Sequence, residues 1–98
     1  MQQFNPMHIA IINSQLGFDL HTRAAESHGL WVEDDMLEFG SGDRLSLVNG
    51  QLHVYKYGDF EIPVEIGNQE LNLADRQEFT FPISRLATAT ALFVSGNL

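Results

Sequence analysis

The dipeptide Asn49-Gly50, set between two runs in which apolar and polar residues alternate, constrains this chain more than any other feature. A two-residue hairpin loop of type I′ needs positive φ at both central positions, which Asn and Gly adopt at little cost. With these two residues as the loop, Val48 faces Gln51, Leu47 faces Leu52, Ser46 faces His53, Leu45 faces Val54, Arg44 faces Tyr55 and Asp43 faces Lys56. Leu45, Leu47, Leu52 and Val54 then share one face, and the register ends on an opposite-charge pair. Pattern and turn chemistry agree on one antiparallel hairpin.

Beyond the hairpin, Gly58-Asp59 reads as the next turn, with Tyr57 opposite Phe60, Lys56 opposite Glu61 and Tyr55 opposite Ile62. Tyr55, Tyr57, Phe60, Ile62, Val64 and Ile66 then share the face opposite to Leu45 and Leu47. Such a switch requires that both faces be covered, or that a bulge near Tyr55 reset the pleat. Pro63 cannot donate to a ladder, which makes 60–66 an edge strand or an irregular one. Gly67-Asn68 turns the chain into Glu70–Leu73 with Glu65 facing Glu70, and after Ala74-Asp75-Arg76-Gln77 the residues Phe79, Phe81 and Ile83 alternate inward. Leu86–Val94 reads as a last strand, because Thr88 and Thr90 disfavour a helix.

Ahead of the strands, Asn5-Pro6 is a helix start, with Asn as N-cap and Pro at the first helical position. Ile9, Ile12, Leu16, Leu20 and Ala24 recur at spacings of three and four, which predicts one helix to Ser27 or His28 capped by Gly29. The internal Gly17 and the β-branched Ile9, Ile11 and Ile12 favour a second arrangement, a strand over 8–12 followed by a shorter helix near 20–28. The expected fold is α+β and mainly β: an N-terminal helix packed on an antiparallel meander sheet or small open barrel of about five to six strands.

Length and charge limit the functions open to such a fold. Ninety-eight residues make a single domain, helical over 1–29 and antiparallel β over 30–98. A domain of this size buries roughly 60–65% of the surface its unfolded chain exposes. With 44% apolar and 18% charged residues the chain has the composition of a folded protein. Thirteen acids stand against five bases, and residues 33–78 alone carry the whole net charge of −8. Binding to a phosphate backbone or an anionic membrane needs the opposite sign, so neither nucleic acid nor membrane is an expected partner. The absence of cysteine removes disulfides, thiolate metal sites and a cysteine nucleophile. The N-terminus shows no basic leader before an apolar run, and a cytoplasmic location follows as the expectation, or a virion for a particle component.

Few residues carry recognisable chemistry. Glu33, Asp34, Asp35 and Glu38 form the densest acidic cluster, without the order of a calcium loop. Glu61, Glu65 and Glu70 fall on one side of the expected hairpin as an acidic stripe. His8, His21, His28 and His53 lack the spacing of metal ligands, and no serine sits in a nucleophile motif. Gly40-Ser41-Gly42-Asp43 has no following lysine and reads as a hairpin loop. No metal, cofactor or catalytic residue is therefore expected. Trp31, Tyr55, Tyr57 and Phe60 are either ordinary core or, beside the acids, anchors of a protein interface.

These readings lead to a non-enzymatic acidic module that occludes a basic surface of a partner protein, as an inhibitor, immunity, antirestriction or chaperone-like protein does. Its expected contact residues are Glu33, Asp34, Asp35, Glu38, Glu61, Glu65 and Glu70, with Trp31, Tyr55 and Tyr57 as anchors. The competing expectation is a small structural subunit of a viral particle, tail or other homo-oligomeric assembly, whose partners are copies of itself.

Overall fold

The computed structural model describes residues 2–98. Helix α1 (Pro6–Leu16) starts where the Asn-Pro signal places it. The Asn5 side chain accepts from the His8 backbone N–H at 2.8 Å, and the Asn5 N–H donates to the His8 ring at 3.2 Å. His8 thus fills the reciprocal role that Glu or Gln usually takes in a capping box. The helix does not continue to Ser27. Gly17, at φ 81°, ends it, its N–H donating to the Asn13 carbonyl. The Asn13 side chain then holds the N–H of Leu20, and Thr22 caps the five-residue helix α2 (Arg23–Ser27). The single helix to Ser27 is overturned by the break at Gly17; of the second expected arrangement, the shorter helix near 20–28 is present as α2, whereas 8–12 is helical and not a strand. The apolar spacing survives the break because Leu16 and Leu20 are buried from separate segments.

Five strands follow as a meander: β1 (Leu30–Glu33), β2 (Met36–Phe39), β3 (Arg44–Val48), β4 (Gln51–Glu61) and β5 (Glu70–Pro82), ordered β1-β2-β3-β4-β5 and antiparallel throughout. The β3–β4 register runs from Val48↔Gln51 to Arg44↔Tyr55, as the Asn49-Gly50 loop requires, with φ of 51° and 77° at the two loop residues. The sheet is an α+β platform: α3 (Leu86–Val94) lies on β3, β4 and β5, and α1 packs against α3.

Three strand assignments are overturned. Gly58-Asp59 is no turn, since β4 runs straight through it with Leu52, Val54, Lys56 and Phe60 all buried on the inner side. The apolar face therefore never switches; a buried lysine occupies the inward position that the alternation leaves unexplained. Ala74–Arg76 does not interrupt a strand either. The β4–β5 register passes from Lys56↔Gln77 to Gly58↔Leu73, so these three residues bulge opposite Tyr57 alone. Pro63 lies outside any strand, in a connection that includes a single 3-10 turn, Val64–Ile66.

The C-terminal segment is helical. Leu86, Ala89, Thr90 and Phe93 fall at helical spacing and are buried, and Phe93 stacks on Phe39 with ring centroids 4.8 Å apart. Burying a side chain of this size contributes about 1.5–3 kcal/mol, more than the roughly 1 kcal/mol that two threonines cost a helix. No helix is long and apolar enough to cross a membrane.

Candidate functional site

Because the helices lie on the inner face, the other face of the sheet is left without a helix. Register places one residue of each strand in a row across it: Trp31, Glu38, Arg44, Tyr55 and Glu78. The next row reads Glu33, Met36, Ser46, His53 and Thr80. Trp31 stands on the edge strand with 64% of its surface exposed. It separates two shallow depressions, one of about 460 Å³ rimmed by Glu26, Glu33 and Asp34 against Arg23, and one of about 560 Å³ rimmed by Glu26 and Glu38.

Towards the opposite edge the row becomes a polar cluster. Arg44 pairs loosely with Glu38 at 3.5 Å, and the His53 ring meets the Glu78 carboxylate at 2.6 Å. The β5 bulge brings the Arg76 guanidinium over the Tyr55 ring, 4.6 Å from its centre. Hydrogen bonding from Tyr55, then from His53, holds the Glu78 carboxyl below its ordinary value; the same bond to Glu78 raises the Tyr55 hydroxyl.

The remaining expected contact residues divide. Asp34 and Asp35 form the β1–β2 turn, where their carbonyls accept from the N–H groups of Phe4 and Leu47. Tyr57 is drawn to the β2–β3 loop, its hydroxyl donating to the Ser41 carbonyl and its ring against Gly42. Glu61 pairs directly with Glu70, while Glu65 is carried off on the 3-10 turn. The expected register of Glu65 opposite Glu70 is thereby corrected: the β4–β5 connection is longer than a Gly67-Asn68 hairpin, so it is Glu61 that meets Glu70. The acidic stripe is one like-charge pair with the third acid apart.

Sequence reasoning misses a buried polar network. The Lys56 ammonium donates to Asp43 at 2.7 Å and to the carbonyls of Ser95 at 2.5 Å and Phe93 at 3.2 Å. These carbonyls close the C-terminal end of α3, where unpaired acceptors and the helix dipole favour a cation. Asn97 completes the network by donating to Asp43 and accepting from Ser41. Burial lowers the Lys56 pKa, against the opposing pull of Asp43. Two signals point to the network: Asp43 facing Lys56 in the hairpin register, and a lysine at an inward position.

Among the described residues no three His, Cys, Asp or Glu converge as metal ligands. Neither a protein-family model nor a characterised protein nor a solved structure matches this chain, so its own surfaces carry the functional argument.

Proposed function

We propose that this protein is a non-enzymatic protein-binding module whose uncovered sheet face occludes a basic surface of a partner, in the manner of an inhibitor, an immunity or antirestriction protein, or a chaperone. The observation that carries the reading is Trp31, an exposed tryptophan between two depressions whose rims are acidic. A large rigid ring supplies buried area, and an arginine of the partner stacked on it gains about 0.5–2 kcal/mol. Glu33 and Glu38 lie beside it to pair with further cations. The charge of residues 33–78 steers encounter, raising the association rate by roughly one to three orders of magnitude at low salt. Tyr55 contributes from the middle of the row, whereas Tyr57 serves the β2–β3 loop.

Trp31 is the only tryptophan of the chain, which makes its fluorescence a local reporter. Titration with a blocked hexa-arginine peptide should change the emission saturably. The response should weaken steeply with added salt and fall in the Glu33→Gln/Glu38→Gln variant. Emission that ignores the peptide, or binding that ignores salt, would overturn the proposal.

The reading as a subunit of a homo-oligomeric assembly draws on β5, a thirteen-residue strand bonded only to β4. Its free edge carries a bulge, the charges of Asp75 and Arg76 and a terminal Pro82, devices that usually guard an edge against pairing. Light scattering decides between the two: a monomer at all concentrations speaks against the assembly, and a stable ring against the simple inhibitor.

A further inference from the structure

The sheet ends on two strands, and only one of its edges is guarded. β5 carries a bulge, the charges of Asp75 and Arg76 and a terminal Pro82, whereas β1 pairs with β2 through an unbroken register and contains no proline. The Gly40 N–H donates to the Gly29 carbonyl at 2.9 Å, which fixes the phase of the bonding between β1 and β2. Hydrogen-bonded and non-bonded pairs alternate along an antiparallel ladder, so Trp31 and Glu33 are the residues of β1 that bond β2. Leu30 and Val32 therefore aim their N–H and C=O groups away from the sheet. Neither has a backbone partner on that side among the described residues.

The depression of about 460 Å³ beside Trp31 is the groove between this edge and α2. Leu20, Ala25 and Val32 give it an apolar lining. Its rim is acidic, with Glu26, Glu33 and Asp34 against Arg23. Past Glu33 the edge is closed, because the Asp34 carbonyl accepts from the Phe4 N–H. A short row of outward N–H and C=O groups beside an apolar groove is matched by one kind of ligand, an extended backbone that adds itself as a strand.

We infer that the groove receives an extended segment of the partner, which adds to the sheet antiparallel to β1. The inference rests on the reading of the protein as a binder of basic partners, and states how the partner's chain lies at Trp31. Residues directly opposite in a ladder share a face. The residue paired with Val32 points to the inner side, towards Leu20 and Ala25, and is apolar. Its two neighbours, opposite Trp31 and Glu33, stand on the outer face, where an arginine lies against the indole and a second cation pairs with the carboxylate. The recognised pattern is cation, apolar, cation. A second copy of this chain does not fit, since each copy carries a net charge of −8 and β1 itself holds no cation.

The test titrates the full chain with acetyl-Arg-Val-Arg-Val-Arg-amide. At saturation, amide hydrogen exchange should slow at Leu30 and Val32, and the Trp31 emission should change. N-methylation of the two valines removes the N–H groups that face β1, and should weaken binding roughly tenfold or more, the size expected for losing two backbone hydrogen bonds. The same modification of the arginines, whose N–H groups face away, should leave binding intact. Equal losses from the two modifications, the reverse order, or no protection at Val32 would each overturn the inference. If the Trp31 emission follows hexa-arginine and both methylated peptides alike, strand addition fails and the sheet-face reading stands. Protection of Val32 by a peptide whose binding ignores salt keeps the added strand and overturns the acidic-surface reading. A Val32 amide already protected in the free protein would place a second copy on the edge, and overturn the inference.

Discussion

From Gln51 to Tyr55, β4 is flanked by β3 on one side and β5 on the other; from Asp59 to Glu61 it keeps β5 and exchanges β3 for the tail that follows α3. The first half is held by backbone ladders set by a local turn. The second depends on a buried lysine, a serine hydroxyl and a glycine, the last two from the tail some thirty-five residues further along the chain. The overhang of β4 beyond β3 is finished by residues distant in the chain: the Glu61 N–H donates to the Ser95 hydroxyl at 2.8 Å, and Gly96 lies against the Asp59 carbonyl.

Removing the group that ties the two halves together should have the largest effect. Lys56→Met keeps the apolar stem but leaves Asp43 buried without its cation, and breaking a buried pair in this way costs about 3–5 kcal/mol. Urea unfolding should show that loss, and Lys56→Met/Asp43→Leu should recover part of it because no charge is then stranded. If the single variant is as stable as the parent, Lys56 is not what holds the tail.

Two glycines compare the halves directly. Gly50 and Gly96 have nearly the same φ, 77° and 83°, yet a Cβ at Gly50 meets open space while one at Gly96 meets the Asp59 carbonyl. Gly50→Ala should cost only the left-handed backbone penalty of about 1–2 kcal/mol. Gly96→Ala adds a steric term and should cost about 2–4 kcal/mol unless the tail lifts off β4. Faster hydrogen exchange at the Glu61 amide would report that lifting. Equal costs for the two alanines would mean that the tail is not seated on β4.

A smaller effect is expected from acid. The Glu78 carboxyl titrates below its ordinary value in the folded protein, so its contribution is present above the usual carboxylate range. It is lost as the pH falls through the folded pKa. Tyr55→Phe and His53→Ala should each shrink the acid dependence of unfolding, since both side chains favour the ionised Glu78 carboxylate. An acid limb unchanged in both variants would remove Glu78 from the stability of the sheet face.

The same division explains what is legible in the sequence. The Asn49-Gly50 hairpin, its register and the Asn5 cap are local, and residues adjacent in the chain determine them. Gly17 is visible but ambiguous, because an apolar stripe at helical spacing continues past it into Leu20. The C-terminal helix is mistaken for a strand when its threonines are weighed by intrinsic preference. Leu86, Ala89, Thr90 and Phe93 have helical spacing, and tertiary burial decides in such a segment. At Gly58-Asp59 turn chemistry points the wrong way. A strand there requires Lys56 to face inward, which becomes favourable only when Asp43 and the end of α3 receive its charge. Of the expected contact residues, Trp31, Glu33, Glu38 and Tyr55 share the sheet face through register, while Glu65 is separated because the turn preceding Glu70 is longer than two residues.

The smallest energetic effect is expected at the exposed Glu61–Glu70 pair. Glu70→Lys turns the Glu61–Glu70 like-charge pair into an opposite-charge pair at an exposed site, which should stabilise the fold by about 0.2–1 kcal/mol. Urea unfolding should show the gain, and a variant no more stable than the parent would mean that the two carboxylates do not repel each other across the ladder. Arg44→Glu, on the regular half of the sheet, removes the loose pairing with Glu38 and should slightly lower stability. A gain at the overhang beside a small loss on the ladder would separate a like-charge pair that the fold tolerates from an opposite-charge pair that helps hold its strands together.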